Sequence, residues 1–234
     1  MADRMVIVAL DYPSPESALQ FVDKIQSNSC ALKVGFELFL SGGPQFVEKL
    51  VARGFKVFLD LKFHDIPNTV AQACNAASKL GVWMVNVHAS GGIGMMLAAR
   101  EAIDKHDASL QPKLIAVTVL TSMNQATLAA VGVSGEVNDV VAKWAAMAEQ
   151  ANLDGVVCSA QEAALIRAQS DSRFMIVTPG IRLPSDNKDD QKRIVSPSDA
   201  RASGVTHIVV GRPITQAQDP CAALEVFQKA FVSA

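Results

Sequence analysis

No two cysteines in this chain stand at Cys-x-x-Cys spacing. The four present, Cys30, Cys74, Cys158 and Cys221, are scattered over 234 residues. That spacing argues against metal staples and a disulfide framework, and reduced thiols fit a cytoplasmic protein. Long hydrophobic runs are missing too. No stretch approaches the roughly 18 apolar residues of a membrane span. The run after Arg4, MVIVAL, meets Asp11 and is too short for the apolar stretch of a secretory signal. Neither sign of charge is in excess: 21 Lys and Arg against 23 Asp and Glu give −2, so no basic field invites nucleic acid. An anionic ligand therefore needs a local cationic site. Low-complexity segments and linkers are also absent, so residues 1–234 are expected to form one domain.

Half of the residues are hydrophobic, enough for a sizeable core. They gather into short Val- and Ile-rich runs: MVIVAL (5–10), CALKVG (30–35), KVFLDL (56–61), WMVNVH (83–88), KLIAVTV (113–119), DGVVC (154–158), FMIVTP (174–179) and HIVVG (207–211). Bounded by Gly, Asp or Pro, they have the character of buried parallel strands. Helix-length segments lie between them, at 14–26, 43–53, 67–80, 92–106, 140–152, 160–169, 196–203 and 221–231. Ser14 with Pro15 and Ser196 with Pro197 form cap signals, with proline at the first helical position. Gly54 and Gly81 stand where helices should stop. Eight β–α pairs predict an α/β fold, a (β/α)8 TIM barrel, over an open doubly wound sheet. The first strand is not followed by GxGxxG, which also argues against a dinucleotide-binding sheet, and GGIG (91–94) fits a strand-to-helix turn.

Function in such a barrel sits at the C-terminal ends of the strands, and the polar residues collect there. Asp11 follows the first strand, Lys33 lies late in the second, Asp60 and Lys62 end the third, and His88 ends the fourth. Thr121 and Ser122 follow the fifth. Side chains alternate along a strand, so Phe58, Asp60 and Lys62 share one face while Leu59 and Leu61 take the other. The charged pair then points into the barrel mouth, and Ala31 and Gly35 leave room around Lys33. Taken singly, these residues have ordinary explanations. An Asp–Lys pair at a strand end is usually a structural ion pair. Asp65, before Ile-Pro, suits a helix cap, and His88 suits a hydrogen-bonded structural role. His64, His106 and His207 lack ligand spacing. Three charges within six residues, with Lys33 on the adjacent strand, are harder to explain this way, because burying them without a task is expensive.

TPGIR (178–182) and VGRP (210–213) follow the seventh and eighth strands. These are the loops where barrels frequently bind phosphate. Each offers glycine for close backbone approach and an arginine, Arg182 or Arg212, that can fork onto phosphate oxygens. The long polar stretch at 183–197 is expected to act as a lid over that phosphate. A plain surface loop is the alternative.

With LDYP, ALKVGFELF, DLKFHDIPNTV, AVTVLTS, TPGIR and VGRPIT in place, the chain resembles the orotidine 5′-phosphate decarboxylase family from end to end. The resemblance implies decarboxylation of orotidine 5′-phosphate to UMP, the last step of de novo UMP synthesis, without metal or organic cofactor. It implies a catalytic network of Lys33, Asp60, Lys62 and Asp65, with Lys62 as proton donor. It also implies a homodimer in which Asp65 and Thr69 reach the neighbouring site. Asp11 and Lys33 would contact the ribose, and Thr121, Ser122 and Pro179 are expected on the substrate, with Thr121 and Ser122 at the pyrimidine. Arg182, Gln191, Gly211 and Arg212 would hold the phosphate. Two alternatives stay open: a metal-dependent sugar-phosphate decarboxylase or aldolase of the same barrel type, and a non-catalytic nucleotide-binding protein. Those metal enzymes typically carry a magnesium-binding glutamate where this chain has Lys33.

Overall fold

The computed structural model describes residues 4–183 and 195–233. All eight apolar runs form strands: β1 (Met5–Ala9), β2 (Ala31–Val34), β3 (Lys56–Phe63), β4 (Met84–His88), β5 (Lys113–Val117), β6 (Gly155–Val157), β7 (Met175–Thr178) and β8 (His207–Val210). Each pairs in parallel with the next, and β8 returns to β1 through pairs such as Val6–Ile208. The barrel closes in chain order, which makes this a (β/α)8 barrel.

The first half of the wall is covered by α1 (Pro15–Val22), α2 (Phe36–Ala52), α3 (Pro67–Lys79) and α4 (Gly92–Asp104). The second half carries α5 (Gln125–Ala130), α6 (Val137–Gln150), α7 (Ala160–Arg167), α8 (Pro197–Ala202), α9 (Arg212–Thr215) and α10 (Pro220–Gln228). The expected caps form. Ser14 accepts the Ser17 N–H and Ser196 accepts the Asp199 N–H, each with proline opening the helix behind it. Gly54 and Gly81 take positive φ where α2 and α3 end.

The helical pattern expected from residue 43 begins earlier, at Phe36. The chain breaks at Gly43, whose φ is +63°, and Pro44 opens the second segment of α2. The first segment is too short to show helical periodicity, and its N-cap, Gly35, makes no side-chain cap bond. It leaves Phe36 and Leu40 largely exposed. The short helices α5 and α9 escape a periodicity argument for the same reason.

Alternation along the strands divides the apolar residues into two cores. Ile7, Phe58, Met84, Ile115, Val177 and Val209 pack inside the barrel. Val8, Leu32, Val57, Leu59, Val85 and Ile176 face outward against the helices. A side chain at Gly155 would collide with the Met175 carbonyl oxygen, so glycine is what lets β6 and β7 approach. With the inner core filled, space for a ligand is left at the two ends of the barrel, about 250 Å³ where the strands end and about 270 Å³ where they begin.

Candidate active site

The pairing of β3 with β4 is regular through Leu59–Val85 and resumes at Phe63–Val87. Between those pairs β3 holds Asp60, Leu61 and Lys62, whereas β4 holds only Asn86. The surplus is a bulge, the usual device for re-aiming side chains beside a site. Lys62 takes φ +46° in it, a left-handed conformation that costs a non-glycine residue roughly 1–2 kcal/mol. Asp60 and Lys62 still share the cavity face, as parity predicts, and Leu61 packs on the outer core.

These residues open into a cavity of about 250 Å³ at the C-terminal end of the barrel. An ionic chain runs along its wall. Lys62 Nζ lies 2.8 Å from Asp60 Oδ1, and Lys33 Nζ lies 3.3 Å from Asp60 Oδ2 and 3.5 Å from Asp11 Oδ1. Asp60 is 8% exposed. Burial pushes its pKa upward, but the charges of Lys33 and Lys62 and hydrogen bonds from Lys62 and Asn86 outweigh that. The carboxyl is held below its ordinary range. Lys62 Nζ also sits 5.3 Å from the Phe36 ring centroid.

The β7–β8 side of the rim brings Pro179, Gly180, Arg182, Gly211 and Arg212 to the same cavity. Arg182 is 6% exposed. Its Nη1 donates to the Ile181 carbonyl, while its buried Nε makes no hydrogen bond among the described residues. A buried cation with an unused donor suits an anionic ligand. At Gly211 a Cβ would stand 3.3 Å from Asp11 Oδ2, so the missing side chain leaves the approach between β8 and β1 open. Thr121 lines the wall beyond β5 together with Leu120.

Asp11, Lys33, Asp60, Lys62, Thr121, Pro179, Arg182, Gly211 and Arg212 thus meet at one cavity. Ser122, Asp65 and Thr69 are exposed and outside its lining. The cap expected of Asp65 does not form. Ile66 is the N-cap of α3 without a side-chain cap bond, and Asp65 only accepts the adjacent Ile66 N–H. Gln191 and most of the expected lid, 184–194, lie outside the described residues. His88 lies against the His64 ring at 5.4 Å between centroids. Burial, with His64 and Lys62 nearby, lowers its pKa. Among the described residues no group of three or more His, Cys, Asp or Glu is placed to hold a metal ion, and no helix is long and apolar enough to cross a membrane.

Sequence reasoning missed Asn86. It is 1% exposed and lines the cavity beside Asp60 and Lys62. The signal was available: in WMVNVH it has the parity of Met84, which faces the inner core, and a polar side chain at such a position needs a partner.

The chain matches known proteins over nearly its whole length. The sequence profile described as "Orotidine 5'-phosphate decarboxylase / HUMPS family" matches residues 4–227. An orotidine 5′-phosphate decarboxylase of Nitrosomonas eutropha is 52% identical over 234 residues, covering 100% of both chains. One from Pseudoalteromonas atlantica is 55% identical over 225 residues, covering 96% of this chain and 97% of its own. The crystal structure of orotidine 5′-phosphate decarboxylase from Lactobacillus acidophilus has 39% identity and a TM-score of 0.87, with 98% of this chain and 99% of that one covered. Identity at this level over nearly the whole of both chains leaves one conclusion: the chain belongs to the orotidine 5′-phosphate decarboxylase / HUMPS family.

Proposed function

We propose that this protein decarboxylates orotidine 5′-phosphate to UMP and CO2, completing de novo UMP synthesis. The supporting relatives carry that decarboxylase name at 52–55% identity. The observation that carries the reading is the ionic chain Asp11–Lys33–Asp60–Lys62 on the wall of a cavity that also takes in Arg182. Loss of CO2 from C6 of the pyrimidine leaves an electron pair on an sp2 carbon with little delocalisation. Without an organic electron sink, a fixed cation beside that carbon must stabilise it. Lys62 takes this role and then gives its proton to C6. Asp60 holds the ammonium in place, and Lys33 anchors Asp60 from its other oxygen.

Asp60 has a second effect. A carboxylate beside the substrate carboxylate repels a charge that vanishes as CO2 leaves. At about 4 Å and an effective dielectric of about 20 this is roughly 4 kcal/mol, or about three powers of ten in rate. Very slow reactions need far more, so the larger share falls to carbanion stabilisation and to phosphate binding energy used for closure. Arg182, Gly211 and Arg212 grip the phosphate, joined by Gln191 on the 183–197 lid. Asp11 and Lys33 hold the ribose. Thr121, Ser122 and Pro179 contact the rest of the nucleotide. Asp65 and Thr69, exposed in the protomer, complete the neighbouring site of a homodimer. Four free thiols fit a reducing, cytoplasmic setting.

The metal-dependent branch is disfavoured by Lys33, since an ammonium 3.3 Å from Asp60 repels a divalent ion. An ultraviolet assay of orotidine 5′-phosphate loss, with and without EDTA, tests the proposal. Loss of substrate at the same rate in both is expected. Abolition by EDTA would transfer the chain to the metal-dependent branch. Binding of UMP with no CO2 released would make it a nucleotide-binding module.

A further inference from the structure

The bulge in β3 poses a problem that β4 solves with a side chain. Lys62 sits there in a left-handed conformation between ladder pairs. Its N–H donates to Asn86 Oδ1 at 2.8 Å, and Asn86 Nδ2 donates to Asp60 Oδ1 at 2.7 Å. One buried amide thus bonds the backbone of one member of the ionic chain and the carboxylate of another. The assignment of its two ends is forced. A flipped amide would put oxygen against carboxylate and an NH2 group against an N–H.

We propose that Asn86 is a positioning residue for the decarboxylation proposed above, and the inference rests on that reading. Its oxygen holds the bulge in the conformation that aims the Lys62 ammonium, and its NH2 group fixes the plane of the carboxylate that anchors that ammonium. An ordinary core position here would favour an aliphatic side chain, because burying an amide is unfavourable unless it is fully bonded. Asn86 is 1% exposed, and both of its hydrogen bonds go to the two residues on which the chemistry depends. Asp60 Oδ1 accepts from Asn86 and Lys62 together, so the three groups form a closed triangle: Lys62 backbone, Asn86 side chain, Asp60 carboxylate and back to the Lys62 ammonium. Loosening one corner lets the ammonium drift, and a misplacement of about 1 Å costs on the order of 100-fold in rate.

Two variants separate this role from a merely structural one. Asn86→Ala removes both bonds. Its kcat is expected to fall about 10- to 100-fold, while KM and UMP affinity stay within about threefold, because the interaction matters where charge develops at C6. Asn86→Asp is isosteric and keeps an acceptor for the Lys62 N–H, but it faces Asp60 with a second carboxyl group. Two carboxyl groups so placed share a proton and titrate as a pair. The pH profile of kcat should therefore gain an ionisation absent from the wild type, with activity lost as pH rises and the shared proton leaves. Should Asn86→Ala fail to fold, the isosteric variant decides alone. Unchanged kcat per folded Asn86→Ala molecule, equal losses of kcat and UMP affinity, or an Asn86→Asp profile parallel to wild type would each overturn the role. A wild-type protein that never turns over orotidine 5′-phosphate would overturn the underlying reading, and this role with it.

Discussion

Lys33 and Lys62 divide one carboxylate between them: Lys33 Nζ lies 3.3 Å from Asp60 Oδ2, and Lys62 Nζ lies 2.8 Å from Asp60 Oδ1. The two ammonium groups come from adjacent strands, β2 and β3, and Asp60 keeps them apart while neutralising part of their charge. Asp11, 3.5 Å from Lys33, supplies a second carboxylate. Removing one partner of a fully buried pair costs roughly 3–5 kcal/mol. Here the Lys62 side chain is 27% exposed, so water relieves part of that loss. The network therefore contributes less to fold stability than a fully buried one would.

Lys62→Ala should abolish turnover and leave UMP binding largely intact. Asp60 keeps Lys33 and Asn86 as partners in that variant, so the cavity retains its shape. The measurements are UMP titration by calorimetry beside the ultraviolet assay. Turnover within about tenfold of wild type would remove Lys62 from the chemistry, since a lost proton donor and cation should cost far more.

Much of this site was legible before any coordinates, and the reason is local. Lys33, Asp60, Arg182 and Arg212 lie at the ends of short apolar runs, where strand parity and barrel topology alone send them to the rim. The Lys62 conformation was not legible, because a bulge is a mismatch between two strands and no single run records it. The inward parity of Asn86 was readable in WMVNVH, but its partners, 24 and 26 positions away, were not. The first segment of α2 has only a few residues and ends at Gly43, too brief for periodicity to separate it from a loop. Asp65 attracted a cap argument from Ile-Pro, yet its carboxylate reaches only the next N–H. A capping role depends on backbone geometry that the residue types do not specify.

The N-terminal end of the barrel should govern acid stability. His207 is buried at 4% exposure, bonded through Nδ1 to Thr206 Oγ1, with its ring 5.6 Å from Trp83. Burial, with Lys56 nearby, lowers its pKa from 6.5 to about 4. The unfolded chain therefore binds the proton more readily. The neutral histidine contributes its full stabilisation above about pH 6.5, and this is lost as pH falls from there to about 4, by about 3 kcal/mol. Asp60, also depressed, adds a loss only below the ordinary carboxylate range. Urea melts at pH 7 and pH 4.5 should show His207→Asn losing less stability over that interval than wild type. Equal losses would show that His207 does not titrate in the folded protein as its burial demands.

Phosphate binding should raise turnover as well as affinity. Arg182 meets the cavity from the segment after β7, and Arg212 from the start of α9. If their binding energy is used to hold the reacting ring against Lys62, orotidine without its phosphate loses kcat and not only affinity. Arg212→Ala should lower kcat/KM for the nucleotide by about 10- to 100-fold, the value of a charge-assisted hydrogen bond or two. The same substitution should leave the slow nucleoside reaction nearly unchanged. Steady-state kinetics on both substrates decides it, and comparable kcat/KM for nucleoside and nucleotide in the wild type would refute the coupling.

Asp65 should act in the neighbouring subunit. It lies three positions after Lys62 in the chain, yet it is exposed and outside the cavity lining, and its carboxylate accepts the Ile66 N–H. Phe36, Leu40 and Ile66 are exposed apolar residues near the same rim in sequence, at 54%, 83% and 66%, and burying them against a second copy removes apolar surface from water. Each site of a two-fold dimer would then combine Lys62 of one protomer with Asp65 of the other. Lys62→Ala and Asp65→Ala homodimers are each expected to be nearly inactive. A hybrid dimer pairs one doubly damaged site with one intact site. An equimolar mixture, unfolded and refolded together, should recover roughly a quarter of wild-type activity, because half of the dimers are hybrids with one working site each. Recovery no greater than the sum of the two parents would place Asp65 in its own protomer's site or outside the chemistry altogether.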